Sequence, residues 1–359
     1  LCVRPLGRVP SEDEVRMSTI GEFVPPEFPD RDAALALVRQ RVHERGRRRL
    51  QRGIEAQRSH PRELTERLDQ LRVRIAADQR RAASERTTAF APLSDYELLA
   101  LEHRITTDYA WDRFTHLEGE DWSCDCGTDR IVPNALNILR VNLATGRALI
   151  SCAQFRDVGR QLISRMLELA ESNLQRWFDG PGKAPRERVV VLPWRAALLF
   201  GEVFRANGTR HFWHLGASRN EQTLATDVYY EAAPPSETRG YVHLVCDPML
   251  ATGGTTMTTI ERLRQSGAAM SGIVVLAIVA APEGVDLLLH TYPGLRIVTC
   301  ALDEQLDERG YITGPGLGDF GDLAFGDLDV AYTEERWVKP ELLTREQAAI
   351  ILKRMQRHA

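Results

Sequence analysis

The sequence has few cysteines and no long apolar run, and each absence narrows the class of protein. Its six cysteines stand at positions 2, 124, 126, 152, 246 and 300, without the dense spacing of a disulfide framework. No apolar run reaches the roughly 20 residues that a membrane span needs, and no secretory signal is visible. We therefore expect a protein of the reducing cytoplasm with no membrane partner.

An excess of charge of either sign is also lacking. The chain carries 46 basic and 50 acidic residues, a formal net charge of −4, so it has no bulk attraction to nucleic acid or membrane. Residues 31–86 depart from this balance, because they are dense in Arg and contain no Lys. Acids such as Glu44 and Glu55 are interleaved there, which favours a solvated helix face used in subunit or intramolecular docking. RNA or a phosphorylated partner is the alternative.

Composition divides the chain into four regions. We expect residues 1–30 to form an extended arm, part of which is a cloning remnant or an upstream start. We expect residues 31–133 to form a helical extension. Asp30 can cap a first helix to about Arg58, and Pro61 begins a second. The second helix carries an apolar seam at 4-3-4 spacing that consists of Leu64, Leu68, Leu71 and Ile75. We expect an antiparallel helical hairpin here, then the main domain at 134–326. A tail at 327–359 has one helix, for which Thr344 and Gln347 form a capping box.

Cys124 and Cys126 form a Cys-x-Cys pair with His116 nearby, which is half of a zinc site or a loop with free thiols. No second Cys or His pair has suitable spacing, so we favour free thiols and predict no resident metal.

The period of the apolar pattern changes along the third region. A broad stripe from Gln154 to Arg176 predicts a helix packed on a core. Short runs rich in β-branched residues follow, most of them separated by helical stretches, at 189–192, 211–215, 242–246, 273–279 and 297–300. This alternation predicts an α/β fold with a parallel sheet flanked by helices, to which the N-terminal helical region is added.

The most informative stretch begins at the third of these runs. Asp247 ends an apolar strand, a loop of small residues follows, and a helix begins near Thr256. Gly253 and Gly254 let the backbone curl around an anion, and the first N–H groups of the helix are donors to it. Asp247 lies where α/β sheets bind ligands and could hold sugar hydroxyls or water on a metal. By itself the pattern fits a phosphate loop or a plain β–α turn.

Six segments, in the right order, resemble the uracil phosphoribosyltransferase family. Asp247-Pro248-Met249-Leu250-Ala251-Thr252-Gly253-Gly254 is identical to that family's loop for phosphoribosyl pyrophosphate (PRPP). The other five segments are residues 193–196, 219–223, 280–285, 299–312 and 316–326. The resemblance covers about half of the chain and implies a phosphoribosyltransferase-like fold.

The same resemblance implies an activity, transfer of ribosyl 5-phosphate from PRPP to uracil, which gives UMP and pyrophosphate. It assigns PRPP binding to Arg195, Arg219, Asp247, Pro248, Met249, Leu250, Ala251, Thr252, Gly253, Gly254, Thr255 and Asp319. Catalysis is implied for Arg195, Arg219, Asp247 and Asp319, and base binding for Ile312, Gly318, Asp319 and Phe320. Mg²⁺ would arrive with PRPP, and a homo-oligomer is expected. His211 and His214, on an apolar strand, are expected to be core residues.

The sequence departs from the family pattern at three places. Ala197 replaces a glycine in the pyrophosphate loop, Gly314 is one residue too many in the base loop, and Leu323 replaces a basic residue. Two alternatives therefore stay open: a phosphoribosyltransferase for another pyrimidine-like base in specialised metabolism, and a nucleotide-sensing regulator that binds RNA.

Overall fold

A central sheet organises the molecule and confirms the predicted α/β class. The computed structural model describes residues 23, 25–56, 70, 73, 77, 93–107, 109, 113–117, 131–179, 186–219, 226–234, 240–307 and 310–326. The strands of this sheet are β1 (Phe114–His116), β2 (Arg188–Trp194), β3 (His211–Arg219), β4 (Thr226–Ala232), β5 (Val242–Cys246), β6 (Met249–Leu250), β7 (Ile273–Ala280) and β8 (Arg296–Leu302).

The strand order is β1-β8-β7-β5-β2-β3-β4, with β6 paired to β7 beyond the end of β5. All of these pairs are parallel except β3 with β4, which are antiparallel. All five predicted strands are present. Two more strands lie at the sheet edges, where three-residue β1 and the partly exposed β4 lack a continuous apolar run.

Helices cover both faces of the sheet, which explains why β7 is buried along its whole length. They are α1 (Arg31–Ala56), α2 (Asp95–Thr107), α3 (Ile131–Leu139), α4 (Val141–Thr145), α5 (Cys152–Leu174), α6 (Leu198–Ala206), α7 (Gly254–Gln265), α8 (Pro282–Thr291) and α9 (Phe320–Phe325). The predicted helix 154–176 is α5. It begins two residues earlier because Ser151 and Gln154 form a capping box.

Two apolar clusters fill the space between the sheet and its helices. One cluster joins the sheet to α1, α3, α5, α6 and α9, and the other joins it to α7 and α8. A two-stranded ribbon of β9 (Gln305–Leu306) and β10 (Ile312–Thr313) leaves the end of β8 and carries the next loop. We call residues 311–319 the base loop.

The N-terminal helix docks on the rest of the chain, as the intramolecular prediction requires. Val38 and Val42 of α1 belong to the larger apolar cluster. Arg45 is fully buried, and its Nη1 donates a hydrogen bond of 2.5 Å to Oδ1 of Asp303. The predicted limit of the main domain at residue 134 stays a prediction, and α3 begins three residues before it, at Ile131.

Several predictions fall outside the described residues: the seam of the second hairpin helix, the Cys124–Cys126 loop and the C-terminal helix. Cys152, Cys246 and Cys300 are buried free thiols. Within the described ranges, no helix combines the length and the apolar character that crossing a membrane requires.

Candidate active site

The strand order places a ligand crevice at the carboxyl ends of β2 and β5. The chain runs from β2 to β3 on one side and later returns to β5 on the other, so the topology switches direction between β2 and β5. Open α/β sheets bind ligands at such a switch point. Arg195 follows β2 and Asp247 follows β5, so the fold brings these two predicted residues to one edge.

Hydrogen bonds hold the loop after β5 in place. The Asp247 N–H donates to Leu276 O at 2.9 Å, and the Thr256 hydroxyl donates to Asp247 Oδ2 at 2.6 Å. The Pro248 carbonyl accepts from two successive amides of β7, at Ile278 and Val279, both at 3.1 Å. Asp247 is thus oriented by its own loop and by the first turn of α7.

Gly253 makes the turn from this loop into α7. Its φ of 80° lies in the left-handed region, and a Cβ there would lie 3.3 Å from Leu288 Cγ. Gly253 is the N-cap residue of α7 and has no side chain to cap it, while the Gly254 N–H donates a bond of 3.4 Å to the Thr252 hydroxyl. The first amides of α7, at Gly254, Thr255 and Thr256, have no carbonyl partner within the helix and are the expected anion donors.

A second glycine lets α8 approach the loop. A Cβ on Gly284 would lie 2.1 Å from the Ala251 carbonyl oxygen. The loop backbone therefore rests directly on the first turn of α8. This contact gives a physical reason for glycine in the segment 280–285, which the sequence resemblance alone did not provide.

Arg195 lies at the far side of the crevice. It is about half exposed, and its Nη2 donates to Oδ1 of Asp322. A Cβ on Gly321 would lie 3.3 Å from Asp319 Oδ1 and 3.4 Å from Arg195 Nε, so these two predicted residues converge at Gly321. Ala197, in place of the family's glycine, has an ordinary φ of −68° that any residue can adopt. The Trp194–Arg195 peptide is cis.

Arg219 ends β3 and pairs through its backbone with Thr226 of β4. Trp194, the last residue of β2, is opposite Gly216. Arg219 therefore lies three residues further along, roughly 10 Å beyond the end of β2. Its side chain and the hairpin tip at 220–225 lie outside the described residues.

The base loop closes the other end of the crevice. Ile312 is buried in β10, opposite Leu306 of β9. Positive φ angles at Gly314, Gly316 and Gly318, of 29°, 59° and 78°, bend the loop back on itself. A Cβ on Gly316 would lie 3.1 Å from the Ile312 carbonyl oxygen, so the two backbones are in close contact.

Phe320 supports the base loop from the core. Its ring is only 1% exposed and packs edge-on against Phe155, with 5.2 Å between the ring centroids. Asp319 is exposed and caps α9 by accepting the Asp322 N–H at 2.9 Å. The Phe320 ring therefore packs into the core and stabilises the loop from that side. At this position the backbone, and not the predicted aromatic ring, borders the base site.

The histidines of β3 are engaged in packing. Trp194 Nε1 donates to Nδ1 of His214 at 3.0 Å, and burial lowers the His214 pKa, with Arg205 adding to the effect. His211 packs against Tyr241 with 5.4 Å between ring centroids. Both side chains are only partly buried, so they pack at the surface of the sheet and are not the core residues that the sequence predicted.

A divalent ion would find oxygen ligands here but no closed cage. In the part of the chain that the structure describes, no group of three His, Cys, Asp or Glu side chains could hold a metal. Asp247 offers a carboxylate after β5, and Asp319 offers one beside Arg195. Oxygen donors suit Mg²⁺, which keeps waters and substrate phosphates as ligands, so the donor set fits an ion that arrives with its substrate.

Sequence reasoning missed Asp322 as the partner of Arg195 and Gly284 as the seat of the loop. It also missed Asp303, whose Oδ2 accepts the Gly316 N–H at 3.0 Å. All three lie within segments of recognised resemblance, but their contacts join residues far apart in the chain. A pattern of local spacing carries no signal for such contacts.

Comparisons with known proteins agree with this geometry. A family model described as uracil phosphoribosyltransferase matches residues 199–327. The uracil phosphoribosyltransferase of Roseiflexus castenholzii is 38% identical over 206 residues, which is 55% of this chain and 94% of that protein. The chloroplastic uracil phosphoribosyltransferase of Arabidopsis thaliana is 39% identical over 160 residues, or 43% of this chain and 51% of that protein.

Among solved structures, the AQ2163 protein of Aquifex aeolicus is 25% identical, with a TM-score of 0.48. The match covers 59% of this chain and 98% of that one.

Proposed function

The chain belongs to the uracil phosphoribosyltransferase family, and we propose on this premise that it transfers ribosyl 5-phosphate from PRPP to uracil, releasing pyrophosphate. In this reaction a base nitrogen bonds to the anomeric carbon as the bond to the pyrophosphate oxygen breaks. The transition state resembles an oxocarbenium ion with a strongly anionic leaving group. The observation that carries the proposal is the pre-shaped loop from Asp247 to Thr255 at the switch point of the sheet.

The 5-phosphate binds at the start of α7. The amides of residues 252–255 point their donors at it, and the helix end adds a positive partial charge. Asp247, which the Thr256 hydroxyl orients, takes the ribose hydroxyls. Rigid placement of the ribose brings its anomeric carbon in line with the incoming base.

Pyrophosphate departs between Arg195 and Arg219. A guanidinium group binds two phosphate oxygens at once, and in a site that excludes water such a contact strengthens as charge develops. Before substrate arrives, Asp322 holds the Arg195 side chain in the crevice. Mg²⁺ carried by PRPP would neutralise further charge on the leaving group, with Asp247 and Asp319 as the nearest carboxylates.

Uracil binds through the backbone of the base loop. Groups of Ile312 and Gly318 pair with its carbonyls and N–H, and Asp319 faces the ribose side. The extra residue, Gly314, lies toward Glu304, because a Cβ there would lie 2.8 Å from Glu304 Oε2. The insertion is thus accommodated against Glu304.

Neither alternative gains a specific observation. A different pyrimidine-like base would call for an insertion that enters the pocket, and Gly314 is held against an acid instead. On α1, Arg45 is fully buried against Asp303 and is lost to an RNA-binding surface, while Arg39, Arg41 and Arg47 are exposed. A cytoplasmic location and a homo-oligomeric state remain predictions, and sedimentation analysis measures the latter.

The test is a turnover assay of the purified protein with PRPP, Mg²⁺ and a panel of bases. We expect UMP and pyrophosphate from uracil and little product from cytosine, orotate or purines, because a mismatched ring leaves buried polar groups unpaired. Gly254→Val serves as the matched negative control, because its branched side chain would fill the phosphate site at the protein surface. Turnover of another base without turnover of uracil would contradict the proposal.

A further inference from the structure

Two arginines of α1 reach two consecutive acids at the end of β8. Arg45 Nη1 lies 2.5 Å from Asp303 Oδ1, and both side chains are fully buried. Arg48 Nε lies 2.9 Å from Glu304 Oε1, and this pair is open to solvent on the arginine side. Arg45 and Arg48 are three residues apart and so lie on one face of the helix.

Each acid in turn contacts one glycine of the base loop. Asp303 uses Oδ1 for Arg45 and for Nη2 of Arg140 at 2.9 Å, and its other oxygen accepts the Gly316 N–H at 3.0 Å. Glu304 donates its backbone N–H to the Gly314 carbonyl at 3.3 Å, and its side chain lies against Gly314. The chain of contacts therefore runs from α1 through two carboxylates to the loop backbone.

Beside these contacts, a gap separates α1 from the base loop. It has a volume of about 410 Å³, and its walls include Arg41, Glu44 and Arg48 on one side and residues 312–315 on the other. The apolar core holds the two ends of the loop through Ile312 and Leu317. At the middle of the loop, Gly314 and Gly316 are linked to α1 through Glu304 and Asp303.

We propose that α1 acts as a brace for the base loop, and that Arg45 and Arg48 are positioning residues for base binding. The brace is a property of the N-terminal extension, which lies outside the matched family segment. Gly316 is in contact with the Ile312 carbonyl, so a shift of its amide moves a group that the proposed function assigns to the base. The chain of side-chain contacts leads from α1 to the base loop.

The brace predicts a selective kinetic effect, and this part rests on the proposed function. Arg45→Met should raise the KM for uracil by about 10- to 100-fold, since misplacement of a binding group by about 1 Å has effects of that size. The KM for PRPP and kcat should stay near their original values, because a contact equal in ground and transition states changes KM alone. Arg45→Lys, which keeps the charge, should recover part of the loss.

A direct measurement of the loop separates this inference from the proposed function. Hydrogen exchange of the full-length protein, followed in peptides that cover residues 311–318, reports on the Gly316 amide whether or not uracil is the substrate. We expect exchange to be severalfold faster in Arg45→Met, with exchange in residues 247–257 unchanged. Arg47→Met, at an exposed position of the same helix, is the matched control and should leave both segments unchanged.

Arg48→Met gives an independent arm because this arginine is 55% exposed, so its loss is compatible with folding even if Arg45→Met does not fold. Faster exchange at 311–318 in Arg48→Met, coupled to Glu304→Met in a double-mutant cycle, supports the brace. Unchanged exchange in folded Arg48→Met, or equal acceleration throughout the protein, overturns it. If the parent protein uses no uracil, the proposed function fails and the exchange result still decides the brace.

Discussion

Arg195 is about half exposed and pairs with Asp322 of the same chain. Its proposed contribution to activity can therefore be measured separately from its contribution to stability. An exposed ion pair such as that with Asp322 contributes only about 0.2–1 kcal/mol to folding. A charge-assisted contact to a desolvated pyrophosphate contributes much more to the transition state. The two effects are therefore measurable apart.

Arg195→Ala should weaken transition-state binding by roughly 2–4 kcal/mol, which lowers kcat/KM by about 30- to 1,000-fold. The melting temperature should be nearly unchanged. The same loss of activity is expected for Arg219→Ala. Arg210→Ala, at an exposed position just before β3, is the control and should keep full activity. If both crevice variants stayed within about threefold of the parent, neither arginine would serve the pyrophosphate.

Substitution of Gly284 tests the contact between α8 and the loop at residues 247–254. Gly284→Ala would place a methyl group 2.1 Å from the Ala251 carbonyl, so the loop must shift. We expect a stability loss of about 1–3 kcal/mol and a weaker affinity for PRPP by calorimetry. Gly272→Ala is the control, because its new Cβ would make an ordinary contact of 3.5 Å with Tyr241 O. Equal behaviour of the two variants would contradict this account of the loop.

Glu283 predicts a pH dependence of stability. Burial raises the pKa of its carboxyl from 4.5 to about 7, the Leu306 N–H opposes this rise, and nearby Glu102 adds to it. The folded protein therefore keeps a proton that the unfolded chain releases between pH 4.5 and 7. Its free energy of unfolding falls as pH rises through this window.

Glu283→Gln removes that proton uptake while keeping an oxygen for the Leu306 amide. The free energy of unfolding of this variant, minus that of the parent, should increase by up to about 3 kcal/mol from pH 5 to pH 8. Urea unfolding at both pH values measures the difference, and Glu187→Gln, at an exposed position, should show no such trend. If this difference in the free energy of unfolding did not change with pH, Glu283 would already be ionised in the folded protein.

At the scale of elements, α1 is the segment whose role the structure changed most. Its charge pattern fitted docking or RNA binding, and its structure shows Arg45 buried against Asp303. Removing one partner of a buried ion pair leaves an uncompensated charge, which is costly. The helix is therefore part of the folded unit.

Deletion of residues 1–92 should lower the free energy of unfolding by roughly 3 kcal/mol or more, because it breaks the Arg45–Asp303 pair and uncovers Val38 and Val42. The same deletion is expected to change solubility or the oligomeric state. Thermal denaturation and sedimentation measure the two effects. A truncated protein with the stability and mass behaviour of the intact one would show that the extension is a passive appendage.

The predicted elements succeeded where the local pattern is strong. Val242–Cys246 and Ile273–Ala280 are continuous apolar runs because helices cover both faces of the sheet. The edge strands β1 and β4 were missed, since a short or half-exposed strand has no such run. The second hairpin helix, which lies outside the described residues, stays a prediction.

For the whole molecule, the absence of excess basic charge and the burial of Arg45 against Asp303 predict weak RNA binding. A retardation assay with the full chain should show no sub-micromolar complex. RNA binding proper would weaken steeply with salt, because each neutralised phosphate releases a counterion. A tight complex at low salt that dissolves at high salt, and is lost in the deletion of residues 1–92, would revive the regulator alternative.

The sequence by itself determined the fold class, the strand–loop–helix unit around Gly253 and the family, because each depends on residues adjacent in the chain: strand, turn glycines and helix start. The meeting of Arg195 with Asp322, of Gly284 with Ala251 and of Arg45 with Asp303 was decided only by the tertiary structure. These contacts join residues between 33 and 258 positions apart. Their geometry arises from how the sheet and its helices pack, and spacing along one chain contains no measure of that packing.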